Sequence, residues 1–255
     1  MSAGLIARLK ISLDQRADLS ELLAGSWSTL PAQDLAHRTA DLEHDGRVAA
    51  GDLFDFTGTP AGQIRFTGDL GQVDRLAAGM SEGQVIVEGS VGREPGVGMS
   101  GGTLDIQGNA GPRAGAPLPA YKRGMSGGEL IVRGSAGDEA GASMRRGLLV
   151  IGRAGGARTG LGMIAGNIIV FGAAGSDTGL WSKRGSVVAL GGIAPPATYS
   201  YACTYQPVHL RLMFMRLQVH YGLRVRKRYL NGMFRRYSGD LAELGKGEIL
   251  EWTST

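Results

Sequence analysis

Short segments in which apolar and polar residues alternate recur along the chain between residues 51 and 192. Each segment places two apolar residues two positions apart, such as Ile64 and Phe66 in the first segment. A period of two is typical of a β-strand with one buried face, because successive side chains point to opposite sides. The pattern predicts seven strands, whose inward pairs are Ile64/Phe66, Val85/Val87, Leu104/Ile106, Leu130/Val132, Leu148/Val150, Ile168/Val170 and Val187/Ala189.

Glycines separate these strands with a regular period. The segments GQIRFTGDLG (62–71), GQVIVEGSVG (83–92) and GTLDIQGNAG (102–111) align on their glycines, and four further segments continue the series to residue 192. A sustained period of about 20 residues indicates a repeat architecture, in which each unit buries its apolar face by stacking on its neighbours. With one strand per unit, we predict an all-β solenoid, a parallel β-helix of about seven coils with a glycine-rich repeat of about 19 residues.

The two ends of the chain lack the repeat. Residues 1–50 are predicted to form a small N-terminal α/β cap, because an open solenoid end would expose unpaired strand edges. Residues 193–255 are predicted to form a helical, basic tail. In it, one face of a helix that ends at Gly222 carries Leu210, Met213, Phe214, Leu217 and Tyr221. Six basic residues follow between positions 224 and 236. The predicted divisions are therefore 1–50, 51–192 and 193–255.

The outward strand positions change from polar to apolar along the series. Early units carry Arg65 and Asp105 on this side, whereas the last three units carry aliphatic and aromatic residues. A strand that is apolar on both faces is covered by another element. We predict an interface, with a partner chain or with the helix of the tail, that buries Leu149, Ile151, Ile169, Phe171, Val188 and Leu190.

Composition and motifs exclude several classes of protein. The single cysteine, Cys203, excludes an internal disulfide framework and a cysteine cluster for a metal. The four histidines show no metal-ligand spacing, and the match of residues 96–101 to G-x-G-x-x-G is explained by the repeat. The formal charge of +4 comes without a nucleic-acid-binding motif, and no apolar run could span a membrane or serve as a signal peptide. We expect a cytoplasmic protein with no catalytic residue and no metal site.

The glycine repeat resembles that of a known family. The motif G-x-x-x-G-x-G-M-x-x-G-x-[ILV]-x-[IV]-x-G, seen in GREPGVGMSGGTLDIQG (92–108), is similar to the GXGXG β-helix domain. That domain forms the C-terminal part of the glutamate synthase large subunit. It also forms most of the C-type subunit of formylmethanofuran dehydrogenase and of its relative, the formyltransferase/hydrolase complex. The tail segment FRRYSGDLAELGKGEIL (234–250) also resembles this C-type subunit.

The resemblance implies a right-handed β-helix that serves as a scaffold without an active site of its own. Its partners would be an amidohydrolase-like subunit that holds zinc, a formyltransferase subunit and a B-type subunit. The complex would act in the one-carbon metabolism of methylotrophs. It would transfer a formyl group between a methanofuran or methylofuran cofactor and tetrahydromethanopterin, with release of formate.

The furan cofactor implied by the resemblance carries a glutamate-rich arm. Cationic side chains on the long loop between Gly111 and Gly124, and at neighbouring corners of the repeat, could guide that arm. Scattered, solvated arginines are the alternative interpretation of the same residues. The candidate cofactor-binding residues are Arg113, Lys122, Arg123, Arg145 and Arg146, with Lys183 and Arg184 beside them.

Three other interpretations stay open at this point. The chain could be the C-type subunit of a molybdenum- or tungsten-dependent formylmethanofuran dehydrogenase, or a detached glutamate-synthase-like domain. It could also be a carbohydrate-active β-helix enzyme that uses stacked carboxylates, since Asp138, Glu139 and Asp177 recur at one corner. Arg158 lies at the equivalent corner of the unit between them, which favours a ladder of ion pairs over an active site.

Overall fold

The computed structural model describes residues 4–25, 27–59 and 61–254. A 3-10 turn spans Trp27–Thr29, and the longest helix has 14 residues. The α-helices within these ranges are α1 (Ala32–Ala36), α2 (Ala50–Leu53), α3 (Val208–Tyr221) and α4 (Lys227–Leu230). The strands are β1 (Leu5–Leu9), β2 (Ala17–Asp18), β3 (Thr39–Leu42), β4 (Gly46–Ala49), β5 (Phe54–Thr57), β6 (Gln63–Thr67), β7 (Val73–Asp74), β8 (Gln84–Glu88), β9 (Thr103–Ile106), β10 (Glu129–Val132), β11 (Leu148–Ile151), β12 (Asn167–Val170), β13 (Arg184–Ala189), β14 (Ser200–Tyr205), β15 (Met233–Gly239) and β16 (Lys246–Thr253).

One large mixed sheet dominates the structure. Its 12 strands follow the order β14-β15-β16-β13-β12-β11-β10-β9-β8-β6-β1-β5. The strands β1, β6, β8 to β13 and β16 run parallel. By contrast, β5 pairs antiparallel with β1, and β15 pairs antiparallel with both β14 and β16. A separate four-stranded sheet has the order β4-β3-β2-β7.

The predicted fold, a parallel β-helix with a cap and a helical tail, is wrong. The chain forms a mixed sheet, and strands from both ends enter it: β1 pairs with β6, and β16 pairs with β13. The tail contains strands of six, seven and eight residues beside one long helix, so it is not mainly helical. The physical reason is that the outermost parallel strands have unpaired backbone groups, which strands from the termini satisfy. The large sheet contains strands from all three predicted segments, 1–50, 51–192 and 193–255, so it does not separate them. The divisions at residues 50 and 192 therefore stay a prediction.

Seven strands of the sheet, β6 and β8 to β13, come from the seven repeat segments and pair in register. Leu104 pairs with Leu130, Leu130 with Leu149, and Leu149 with Ile168. These side chains are fully or almost fully buried on one side of the sheet, where they form the inner core. The methionines Met80, Met99, Met125, Met144 and Met163 are also completely buried in that core.

The inward side of β11 is opposite to the prediction. Leu149 and Ile151 face the inner core, whereas Leu148 and Val150 lie on the outer face. The segment from Gly147 to Gly152 is one residue shorter than the segment from Gly128 to Gly134. An alignment on the later glycine therefore shifts the strand by one residue, which exchanges its two faces.

The outer face of β10 to β13 carries a second apolar core. Helix α3 lies against it through Leu210, Phe214 and Leu217, all of them buried. Gly222 ends the helix in a left-handed conformation with φ of 61°. Within the described ranges, no helix has the length and apolarity needed to cross a bilayer.

Candidate functional site: a cationic groove beside a covered sheet face

The apolar stripe predicted as an interface is covered by the chain's own helix. Ile169 and Val188 are completely buried beneath α3, and the rings of Phe171 and Phe214 lie 6.4 Å apart. Leu190 belongs to the same outer core. Of the six predicted interface residues these four contact the tail, whereas Leu149 and Ile151 lie in the inner core because of the register of β11.

Polar contacts fix α3 to the sheet. Arg133 donates to both carboxylate oxygens of the buried Asp105, at 2.9 and 2.7 Å, and to the carbonyl oxygen of Tyr221 at 2.9 Å. The Glu129 carboxylate accepts a hydrogen bond from the Tyr221 hydroxyl and pairs with Arg216 at 2.5 Å. Burial, together with the hydrogen bond to Glu129, raises the pKa of Tyr221 to about 12.

These tyrosine contacts predict a loss of stability at alkaline pH. Burial also raises the pKa of Tyr199 to about 12, so the folded chain keeps two phenolic protons that the unfolded chain loses near pH 10. The folded state then binds more protons than the unfolded state, and its stability falls as the pH rises from 10 to 12. We expect urea midpoints to fall less steeply in Y221F than in the unsubstituted chain over this range. Equal slopes would contradict the buried placement of the hydroxyl.

Arg113, one of the candidate cofactor-binding residues, is already paired. It contacts Glu94 at 2.9 Å and Glu139 at 3.1 Å, and Arg158 contacts the same Glu139 at 3.0 Å. Arg75 extends this ladder of alternating charges at its other end. The carboxylates at this corner therefore hold arginines, and Arg113 does not line the cavities that the other four candidates line.

The other four candidates line two adjoining cavities on the surface, each of about 330 Å³. Lys122 and Arg123 line one, Arg145 and Arg146 line the other, and both cavities share Ile164 and Lys183. We call this surface the cationic groove. Its basic residues are Lys122, Arg123, Arg145, Arg146, Lys183 and Arg184.

The repeat itself positions four of these cations, Arg145, Arg146, Lys183 and Arg184, whereas Lys122 and Arg123 belong to the long loop. In each unit a residue at the methionine position is buried, and the two residues after it lie at the corner before the next strand. The Arg145 amide donates to the Met125 carbonyl at 2.8 Å, and the Lys183 amide donates to the Met163 carbonyl at 2.8 Å. Because parallel strands stack about 4.8 Å apart, corners two units apart lie about 10 Å apart.

The groove carries unbalanced positive charge. None of its six cations forms an ion pair or a side-chain hydrogen bond with another described residue, although arginines at neighbouring corners do. Glu243 is the one carboxylate among the described residues that line the two cavities. Like charges placed together without partners favour the binding of an anion.

Sequence reasoning missed Trp181, which lines the groove and is 55 % exposed. Its φ of 60° lies in the left-handed region, where equivalent corners have Gly98 and Gly162. The Trp181 amide donates at 2.8 Å to the carboxylate of Asp240, which is completely buried. The sequence contains a signal for this residue, because Trp181 stands at a repeat position that is glycine in other units.

The described residues offer no group of metal ligands. Nowhere among them do three or more His, Cys, Asp or Glu side chains come together in a way that could hold a metal ion.

The fold and the groove define a β-sheet protein with a solvent-open cationic surface. A solved chain of similar structure comes from the crystal structure of the formyltransferase/hydrolase complex FhcABCD from Methylorubrum extorquens, in complex with methylofuran. The two chains are 32 % identical, with a TM-score of 0.78, and the match covers 98 % of this chain and 100 % of that chain. The chain belongs to the family of formyltransferase/hydrolase complex subunits. No protein-family model and no curated protein matches it.

Proposed function

We propose that this chain is the C-type subunit of a formyltransferase/hydrolase complex, where it acts as a non-catalytic scaffold. The repeat motif and the full-length likeness to a chain of FhcABCD support this assignment. The outward side of α3 adds support, because it exposes Val208, Leu212, Met215 and Val219 at helical spacing, as expected of a chain that meets other subunits. Formyl transfer from a methylofuran-type cofactor to tetrahydromethanopterin, and formate release at a zinc site, would take place on the partner subunits, in the cytoplasm.

The co-purification of partner subunits tests this assignment. A tagged chain is isolated from its own host at low ionic strength, and the proteins that elute with it are identified by mass spectrometry. We expect an amidohydrolase-like subunit, a formyltransferase subunit and a B-type subunit. Molybdenum- or tungsten-enzyme subunits with iron–sulfur proteins would instead assign the chain to a formylmethanofuran dehydrogenase, and amidotransferase and flavin modules to a glutamate synthase.

For the cationic groove we propose a specific role: it holds the glutamate-rich arm of the furan cofactor. The observation that carries this proposal is the set of six cations that lack partners among the described residues. A chain of carboxylates can engage several of them at once, through charge-assisted hydrogen bonds. The open shape of the groove suits a ligand that slides and releases, and binding would weaken with salt because the charges are exposed.

Neutralising three groove cations tests this role. We expect R145Q/R146Q/K183Q to bind a fluorescein-labelled oligoglutamate peptide about 30-fold more weakly at low salt, since each lost contact contributes about 0.7 kcal/mol at an exposed site. Fluorescence anisotropy measures the affinity, and the emission of the exposed Trp181 gives a second readout.

The matched control is R8Q/R153Q/R211Q, which removes the same charge at exposed positions outside the groove. We expect its affinity to stay within about threefold of the unsubstituted chain, because distant surface charges are screened. Equal losses in the two triple variants would show that net charge alone attracts the peptide, and the groove would lose its assigned role.

A further inference from the structure

A second cationic cavity lies at the opposite end of the strands from the groove. It has a volume of about 330 Å³ and lies between the sheet and the segment 223–229 that follows α3. Arg224, Arg226 and Arg228 line it, and the side chains of Phe171, Leu190 and Tyr229 supply the smaller, apolar part of its lining. Gly152 directly follows β11 and Gly191 lies two residues after β13, which places the cavity at the carboxyl ends of these strands. We call it the arginine cavity.

The backbone directs two of the arginines to the same side. Residues 223–226 alternate in burial: Val225 is buried in the outer core and Leu223 packs against it, whereas Arg224 and Arg226 are exposed. In extended backbone, alternate side chains leave on the same side. The Val225 carbonyl accepts a hydrogen bond from the Gln218 side chain at 3.3 Å, which fixes the segment to α3.

Aromatic rings hold the third arginine in place. The Arg228 guanidinium carbon lies 4.6 Å from the centroid of the Trp252 ring and 4.8 Å from that of Tyr229. Arg228 also donates to the Tyr229 hydroxyl at 2.8 Å. Stacking of this kind fixes the plane of a guanidinium and leaves its other N–H groups free to bind an anion.

The cavity lacks a counter-charge. No Asp or Glu is among the described residues that line it, and Arg224 and Arg226 form no ion pair or side-chain hydrogen bond with a described residue. Three guanidinium groups around one concave surface repel each other, and an anion bound between them offsets that repulsion by attracting each of them. A concave site with an apolar wall and a few fixed charged groups is the usual form of a small-molecule site.

We propose that the arginine cavity binds a phosphorylated small molecule with a planar apolar part. A phosphoryl group offers three oxygens and up to two negative charges, which suits several guanidinium forks better than one carboxylate does. The planar part of the ligand would lie against Phe171, because Tyr229 is only 6 % exposed and its ring is already in contact with Arg228 and Trp252. This site is separate from the cationic groove, and the proposal does not depend on the role given to the groove.

Titration of the purified chain with phenyl phosphate, inorganic phosphate and benzoate tests this proposal. Isothermal titration calorimetry measures each affinity at fixed ionic strength. We expect saturable 1:1 binding of phenyl phosphate, about tenfold weaker binding of inorganic phosphate because it lacks the ring, and weaker binding still of benzoate because it lacks the phosphoryl oxygens. No saturable binding of phenyl phosphate would overturn the proposal.

Two variants locate the binding. R224Q/R226Q is expected to lose at least about tenfold in affinity for phenyl phosphate. K227Q removes an exposed cation of the same segment that does not line the cavity, and its affinity should stay within about twofold. Both changes lie at exposed positions, so the thermal midpoints should agree with that of the unsubstituted chain. An equal loss in K227Q, or displacement of phenyl phosphate by oligoglutamate, would contradict a separate phosphoryl site.

Discussion

Replacement of Phe214 by alanine is expected to lower the free energy of unfolding by about 4 kcal/mol. Phe214 is completely buried between α3 and the outer face of the sheet, where its ring meets that of Phe171. Removal of the ring leaves a cavity and weakens the contact that holds α3 over β11 to β13. Because α3 covers an apolar sheet face, the variant should also expose that face transiently and aggregate at lower temperature.

Urea denaturation followed by circular dichroism measures the loss in F214A. The matched control is V219A, on the opposite side of the same helix, where the side chain is 81 % exposed. We expect that change to alter the free energy of unfolding by less than about 0.5 kcal/mol. Similar, small effects of the two substitutions would mean that α3 does not lie on the sheet in solution and that a partner chain covers the apolar stripe.

The strands were predictable because their period is short and repeated. The inward-facing positions of β6, β8, β9, β10, β12 and β13 follow from alternation alone. The alternation did not predict how the strands of the two terminal segments pair with the sheet. Segment 233–239 contains Arg235 and Arg236, and its basic composition suggested a solvated tail, yet it forms β15 between two other strands. Pairing between strands distant in sequence depends on unsatisfied backbone groups of the sheet, which leave no local signal.

Some residues of the cationic groove could be predicted from the sequence. Equivalent corner positions of the repeat identified Arg145, Arg146, Lys183 and Arg184 as neighbours, and the long loop added Lys122 and Arg123. Arg113 belongs to the same long loop, and the sequence predicts it with Lys122 and Arg123 because it gives the position of a charge but not the partner of that charge. Glu94 and Glu139, one unit before and one unit after Arg113, bind its guanidinium. Glu243 came from the tail, so its place in the groove required the three-dimensional fold.

The glycines serve two physical purposes that the sequence cannot separate. Gly79 has a φ of 65°, and an added Cβ would meet nothing within 4 Å, so its conformation requires glycine while its surroundings do not. At Gly101 no positive φ is required, but an added Cβ would lie 2.0 Å from the Ser81 carbonyl oxygen. The first requirement is conformational and the second is steric.

Gly101→Ala is therefore expected to destabilise the chain by about 3 kcal/mol, because the corner must move away from the unit beneath it. The amides of Ser100 and Gly101 both donate to the Met80 carbonyl, at 2.9 and 3.3 Å, and such a movement would stretch these hydrogen bonds. The control, Gly79→Ala, should cost about 1 kcal/mol, since it places an alanine in the left-handed region. Arg146 and Ala165 occupy the position equivalent to Gly101 two and three units later, so the repeat alone would permit alanine there. Denaturation midpoints of the two variants show whether Gly101 is required for steric reasons or whether alanine is tolerated there. A smaller loss of stability in G101A than in G79A would show that the units are not stacked as closely as the Gly101–Ser81 distance requires.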